Sequence, residues 1–100
     1  VAATDIGMHA GKTITVLAYF ITRKQVPTKN SEQMFFGTFV DYHLDWIDTV
    51  HFPDSARNYP LHSNGFYRMT GKVVEDFGVF SLEVHKMNKV GYKQRKYANL

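Results

Sequence analysis

The chain has no cysteine, only three prolines and no apolar run long enough to cross a membrane. The absence of cysteine excludes disulfide bonds and thiolate metal sites, and it is typical of proteins that work in a reducing interior. A membrane-spanning helix needs about 20 consecutive apolar residues, and no basic, apolar leader opens the sequence. We therefore expect a cytoplasmic protein with no membrane partner.

The usual signatures of catalysis are also missing. There is no nucleophile motif or glycine-rich phosphate loop, and the histidines lack the paired spacing of zinc ligands. Asp41, Asp45 and Asp48 surround His43 and suggest a metal site or an acid–base pair, but their spacing matches no calcium loop and such carboxylates are usually solvated. His51, inside a β-type run, is expected to be a packed structural residue. The sequence predicts a chain that is not itself an enzyme and takes no metal, cofactor or small-molecule substrate.

The composition that remains is that of a folded domain. Hydrophobic residues make up 44% and aromatic residues 15% of the 100 residues, which is enough for one domain with its own core. The net charge of +3 and the pI near 9.2 permit nucleic-acid binding without requiring it. We predict a lead-in of little order at residues 1–11, a folded domain at 12–87, and a basic tail or linker at 88–100.

Five segments have the composition of β-strands, because they are rich in β-branched and aromatic residues or alternate between apolar and polar ones. These strands are predicted at Lys12–Lys24, Met34–Asp41, Trp46–Phe52, Phe66–Val74 and Val79–Met87. The second and third strands form a hairpin around a polar link at Tyr42–Asp45. After it, Pro53–Tyr59 predicts a short helix capped by Asp54 or Ser55.

The second strand carries more aromatic rings than one face can hold. Phe35, Gly37 and Phe39 share one parity, and Gly37 suits the crowded inner side of a curved strand. The other parity then points outward. Its members are Met34, Phe36 and Thr38.

Three strands, a short helix and two further strands are most economically closed into a small barrel, because closure leaves no long strand edge exposed. The first strand, Lys12–Lys24, is apolar in both parities, which predicts two buried faces in a strand that sits centrally or curls to serve two sheets. We predict an all-β, five-stranded OB-fold barrel with the helix between the third and fourth strands. An SH3-like barrel is the nearest alternative, and it normally lacks a helix at that place.

The hairpin and two other motifs resemble a known family. They are the run MFFGTFVD at Met34–Asp41, the strand ending in Phe52-Pro53, and the later Gly71-Lys72-Val73. Together they resemble the OB-fold domain of bacterial DNA polymerase III alpha subunits, the C-family replicative polymerases. Thr28-Lys29 stands where that family has a basic loop, although Asn30-Ser31-Glu32 replaces its usual Lys-Gly stretch.

The resemblance implies a non-catalytic accessory domain of a large polymerase, whose catalytic carboxylates and any metal site lie elsewhere. Its partners would be single-stranded DNA, bound by base stacking and phosphate contacts, and other domains of the alpha subunit. The anticodon-type OB-folds of tRNA synthetases share a similar hairpin, so an RNA-binding module is a second interpretation. A third is a protein-interaction module in which an exposed Phe36 docks another domain.

A single-strand site needs flat side chains for the bases and cations for the phosphates. Phe36 is the predicted stacking ring, and Trp46 is a weaker candidate because a tryptophan at a hairpin end is more often a lid on the core. Cations are best placed beside the first loop, where an OB-fold contacts its strand. The complete set of predicted binding residues is Met34, Phe36, Thr38, Trp46, Arg23, Lys24 and Lys29.

Two further groups of cations have less specific interpretations. Arg68 and Lys72 lie on the outward parity of the fourth strand and are expected to form a solvated face. The tail residues are expected to form a linker rather than a site; they are Lys89, Tyr92, Lys93, Arg95, Lys96 and Tyr97.

Overall fold

The five segments rich in β-branched and aromatic residues are all strands in the computed structural model, which describes residues 3–61 and 63–90. In chain order the elements are a 3-10 helix (Ala3–His9), β1 (Thr13–Pro27), β2 (Gln33–Asp41), β3 (Trp46–His51), α1 (Pro53–Asn58), β4 (Phe66–Asp76) and β5 (Val79–Lys89). β1, β4 and β5 extend two or three residues beyond the ends that the sequence predicts.

The strands close into a barrel in the order β1-β2-β3-β5-β4. β3 and β5 are parallel, and the other neighbouring strands are antiparallel. β1 pairs with β4 from Thr13 to Tyr19 and with β2 from Ala18 to Pro27, so its two halves serve different neighbours. With α1 between β3 and β4, this is the five-stranded OB-fold that the sequence predicts, and the SH3-like alternative is excluded.

A β-bulge just after Phe20 changes which side chains of β1 face inward. Cross-strand partners lie on the same side of a sheet. Beyond the bulge, Arg23 is paired with buried Gly37, whereas Lys24 is paired with exposed Phe36. Odd-numbered residues therefore face inward after the bulge, although even-numbered ones face inward before it.

The prediction that β1 has two buried faces is wrong. Ile14, Val16 and Ala18 are buried, but on the opposite side Leu17 is 45% exposed and Ile21 is 43% exposed. The predicted curling of the strand is correct, because the bulge and the change of neighbour occur in its middle. Leu17 and Ile21 therefore lie on the outer surface of the barrel rather than in a second core.

The core lies inside the barrel and is closed by the two helical segments. The 3-10 helix packs against β1 and β4, and its Ile6 is buried in the core. Residues 3–9 are thus helical where the sequence predicts little order. α1 packs against β2, β3 and β5, with Ala56 and Tyr59 against the core. The domain limits at residues 12 and 87 stay a prediction.

The start of α1 differs from the prediction. Phe52 is the N-cap in an extended conformation, Pro53 occupies the first turn, and no side chain caps the helix. A proline is favoured there because its missing N–H would have no helical partner and its φ already suits a helix. The predicted caps, Asp54 and Ser55, lie inside the helix.

The predicted tail divides at the end of β5. Lys89 belongs to this strand, and its amino group contacts the hydroxyl of Ser63. The other tail residues named above, Tyr92, Lys93, Arg95, Lys96 and Tyr97, lie outside the described residues. Within the described ranges, no helix is long and apolar enough to cross a membrane.

Candidate nucleic-acid interface

The outward side of β1, β2 and β3, called here the outer face, carries the predicted stacking ring. Alternation along β2 buries Phe35 and Phe39 and leaves Phe36 45% exposed, as predicted. The register places Lys24 of β1 on one side of Phe36 and Val50 of β3 on the other. An exposed ring therefore lies in register between a cation and an apolar side chain.

A second set of side chains, three rings and one valine, crosses the same face, continues onto β4 and is called here the aromatic row. It consists of Trp46, Val40, Tyr19 and Phe66, which are successive cross-strand partners on β3, β2, β1 and β4. Trp46 is 64% exposed and Phe66 is 42% exposed. The rings of Tyr19 and Phe66 meet edge to face, with 5.2 Å between centroids and an interplanar angle of 75°. Trp46 is therefore not a lid on the core.

Tyr19 and Phe66 were not predicted as site residues. Tyr19 lies in a strand whose two parities are both apolar, and Phe66 lies 47 positions later in the chain. Only the pairing of β1 with β4 brings the two rings together. The available signal was Tyr19 itself, because a tyrosine on the parity opposite to buried Val16 and Ala18 has a polar end suited to solvent.

A polar strip separates Phe36 from the aromatic row. It consists of Thr22, Thr38 and Asp48, which are paired across β1, β2 and β3. Phe36 and Val40 are four residues apart on β2, which corresponds to about 13 Å along the strand. The face therefore offers two apolar platforms with hydroxyls and one carboxylate between them.

The remaining predicted site residues lie toward the β1–β2 loop. Met34 is half-buried and pairs with Val26 on the outer face. Lys29 is exposed in the loop after β1, which is held by hydrogen bonds from the Thr28 N–H to the Glu32 carbonyl (2.7 Å) and from the Ser31 N–H to the Thr28 carbonyl (3.1 Å). Lys29 therefore projects from a short, ordered turn.

Arg23 lies apart from the other predicted residues, because the bulge turns it to the inward side of β1. Its guanidinium carbon lies 5.6 Å from the centroid of the Phe35 ring, and its Nη1 donates a hydrogen bond to the Leu61 carbonyl (3.3 Å). Arg23 lines a cavity of about 320 Å³ between the β1–β2 hairpin and α1, together with Arg57 and Glu32. The structure thus brings Lys24, but not Arg23, next to Phe36.

The carboxylates that are close to His43 in the sequence do not come together as one site in the fold. Asp41 is buried, and its Oδ1 accepts hydrogen bonds from the backbone N–H groups of His43 (2.8 Å) and Asp45 (3.0 Å). Asp48 lies on the outer face, in register with Thr38. Asp41 therefore holds the β2–β3 turn, and Asp48 adds a negative charge to the outer face.

Beneath Phe36, the inner side of the hairpin is tightly packed around His51. Its Nε2 lies 2.8 Å from the hydroxyl oxygen of Thr49, and its ring stacks on Phe35 with 4.0 Å between centroids. A Cβ on Gly37 would lie 2.5 Å from the Thr49 hydroxyl oxygen and 2.8 Å from a carbon of Phe39. Burial lowers the pKa of His51 from 6.5 to about 4, so the ring is neutral near pH 7. This packing fixes the strand that presents Phe36.

No protein-family model matches the chain, and no curated protein matches it. Among solved structures, it is similar to the mitochondrial single-stranded DNA-binding protein Rim1 of S. cerevisiae, with a TM-score of 0.63 and 8% sequence identity. The similarity covers 79% of this chain and 93% of that chain. The chain has the OB-fold, as its own strand order and helix position and this structural similarity show.

Proposed function

We propose that the outer face binds single-stranded nucleic acid without strong sequence preference. The observation that carries this proposal is the pair of exposed platforms about 13 Å apart on the same face, Phe36 beside Lys24 and the aromatic row across the barrel. Every base has a flat face, so stacking tolerates any sequence, and each stacked base contributes about 1–3 kcal/mol. Lys24 and Lys29 supply the positive charge for phosphates.

The architecture is compatible with this use. OB-folds commonly bind oligonucleotides on the face of strands 2 and 3, bounded by neighbouring loops. The structurally similar Rim1 is named as a single-stranded DNA-binding protein. Single-stranded DNA is therefore the ligand that we expect first, and a preference for single-stranded RNA is the alternative.

A more specific proposal concerns the larger protein to which this domain would belong. We propose that it is a non-catalytic, cytoplasmic domain of a bacterial DNA polymerase III alpha subunit that holds template strand near the polymerase. Support comes from the motifs: the MFFGTFVD run forms β2, Phe52-Pro53 connects β3 to α1, and Gly71-Lys72-Val73 lies in β4. The partners would then include the neighbouring domains of that subunit.

A second candidate function is docking of another protein domain. Exposed apolar side chains continue beyond the outer face onto the β2–β3 and β4–β5 turns, where Tyr42, Leu44 and Phe77 are all largely solvent-accessible. Asp48 on the face would also repel phosphates. These features favour a protein surface, and the experiment must separate the two functions.

The test is fluorescence anisotropy of labelled oligo-dT titrated with the full chain at several salt concentrations. We expect weak binding that falls as salt rises, because phosphate contacts release counterions. Phe36→Leu should weaken binding about 5- to 150-fold, which corresponds to the loss of one stacked base. Phe36→Tyr should preserve it, because the ring remains. Lys29→Glu should weaken binding and flatten the salt dependence.

Two controls make the test specific. Met8→Ala removes an exposed apolar side chain from the 3-10 helix, away from the outer face, and should leave affinity unchanged. A competing folded RNA should not bind better than oligo-dT. No binding at high micromolar protein in low salt would contradict the proposal, and equal binding by Phe36→Leu and Phe36→Tyr would contradict stacking on this ring.

A further inference from the structure

The described cations divide into those held by other groups and those that are not. Arg57 pairs with Glu32 and Asp54, while Arg23 and Lys89 are hydrogen-bonded to neighbouring residues. Within residues 3–61 and 63–90, six cations make no ion pair or side-chain hydrogen bond: Lys12, Lys24, Lys29, Arg68, Lys72 and Lys86. Such groups are available to an anionic partner.

Three of these free cations lie together on the outward side of β4 and β5. Arg68 and Lys72 are on β4, and Lys86 of β5 is paired with Thr70, which lies between them. One cation therefore occurs at each successive outward position, about 7 Å apart along the strands. Arg68, Lys86 and Lys72 are called here the basic track.

The basic track begins where the aromatic row ends. Phe66, the last ring of that row, precedes Arg68 by two residues on β4 and lies on the same side of the strand. The neighbouring half of β1 adds the hydroxyl of Thr15, which lies 3.0 Å from that of Thr70. A nucleic-acid strand that stacks on the aromatic row and continues beyond Phe66 would therefore contact hydroxyls and cations rather than further rings.

The one carboxylate in register with the track does not neutralise it through an ion pair. Glu83 is the cross-strand partner of Lys72, but its Oε1 lies 3.6 Å from Nε2 of His85. No described acidic side chain lies within ion-pair distance of Arg68 or Lys86. Cations at regular spacing without rings suit a sugar–phosphate backbone, because phosphates need charge and bases need flat surfaces.

We propose that the basic track carries the phosphates of the same single strand beyond the aromatic row, onto the outside of β4 and β5. This inference rests on the proposed function and extends it, because it assigns β4 and β5 a second, purely electrostatic part of the interface. It predicts that a longer strand binds more tightly and with a steeper salt dependence than a strand that covers only the outer face.

The test compares oligo-dT of about 5 and about 15 nucleotides, within the range that one OB-fold accommodates. For the wild-type protein, the slope of log K against log salt concentration should be steeper by about 2 for the longer strand. The increase comes from three additional phosphate contacts, which contribute about 0.7 each to the slope. In the triple variant Arg68→Gln/Lys72→Gln/Lys86→Gln, this difference should vanish, while the affinity for the short strand changes less than about twofold. Glu83→Gln should tighten binding of the longer strand only.

The short strand is the control for the change in net charge, because a general electrostatic effect would weaken the binding of both strands equally. Thermal unfolding of each variant verifies that these surface substitutions leave the fold intact. Equal losses for both strands, or no loss for the longer one, would overturn the basic track while leaving the outer-face site standing. Failure of the wild type to bind either strand would instead overturn the proposed function, and the track with it.

Discussion

Lys24 and Phe36 lie directly opposite each other across the β1–β2 pairing, with both side chains on the outer face. The bulge after Phe20 creates this relationship, because without it Lys24 would face the inward side. A base stacked on Phe36 would place its phosphate within reach of a flexible ammonium group. Ring and cation therefore form the smallest unit of the proposed site.

Asp48 opposes the proposed binding and gives the first prediction. It lies on the polar strip between Phe36 and the aromatic row, where a carboxylate repels phosphates. Asp48→Asn should tighten oligo-dT binding by about 1.5- to 5-fold at low salt, since exposed charges contribute about 0.2–1 kcal/mol. The gain should shrink at high salt. Anisotropy titrations measure this gain, and Asp5→Asn on the 3-10 helix is the control for net charge. Weaker binding by Asp48→Asn would contradict the placement of the strand.

His51 predicts an acid-sensitive stability. Its pKa is about 4 in the folded chain and 6.5 as the ordinary value, so the unfolded chain binds more protons between these pH values. The free energy of unfolding should therefore fall as pH drops from about 7 to 5, by about 2 kcal/mol. Urea unfolding at a series of pH values measures the slope. His51→Gln should be less stable at pH 7, and its free energy of unfolding should lack this dependence on pH. An equal dependence in both proteins would show that groups other than His51 cause it.

Gly37 predicts a steric limit on the strand that presents Phe36. A methyl group at this position would collide with the Thr49 hydroxyl and the Phe39 ring, which are both buried. Gly37→Ala should lower the free energy of unfolding by about 1–3 kcal/mol, as overpacking of a core does. Chemical denaturation measures it against Thr22→Ala, an exposed substitution expected to change stability by less than about 0.5 kcal/mol. If Gly37→Ala lowers the free energy of unfolding no more than Thr22→Ala does, the side chains around Gly37 can move to accommodate a methyl group, which would contradict the prediction.

Local patterns predict much of the fold and part of the site. The alternation of Phe35 and Phe39 against Phe36 follows from the two-residue period of a strand, and it identifies the exposed ring correctly. Five strands with a helix after the third predict the OB-fold, because few closed arrangements fit that order. These features depend on neighbouring residues, which a sequence displays directly.

The features that escaped prediction depend on geometry between distant segments. The bulge in β1 exchanges the sides of Arg23 and Lys24, and nothing in the local composition marks it. The contact between Tyr19 and Phe66 requires barrel closure through the β1–β4 pairing. The register that places Lys86 of β5 opposite Thr70, between Arg68 and Lys72 of β4, is likewise a property of strand pairing that the sequence does not display.

The most direct test of the central claim uses Trp46, which is the only tryptophan in the chain and is exposed in the aromatic row. Its intrinsic fluorescence reports on the outer face without any label. Titration with unlabelled oligo-dT at low salt should quench the emission to a saturating level, the midpoint should rise with salt, and Phe36→Leu should shift the curve to higher oligonucleotide concentration. Emission that stays unchanged up to high micromolar oligo-dT would contradict the outer face as a single-strand binding site.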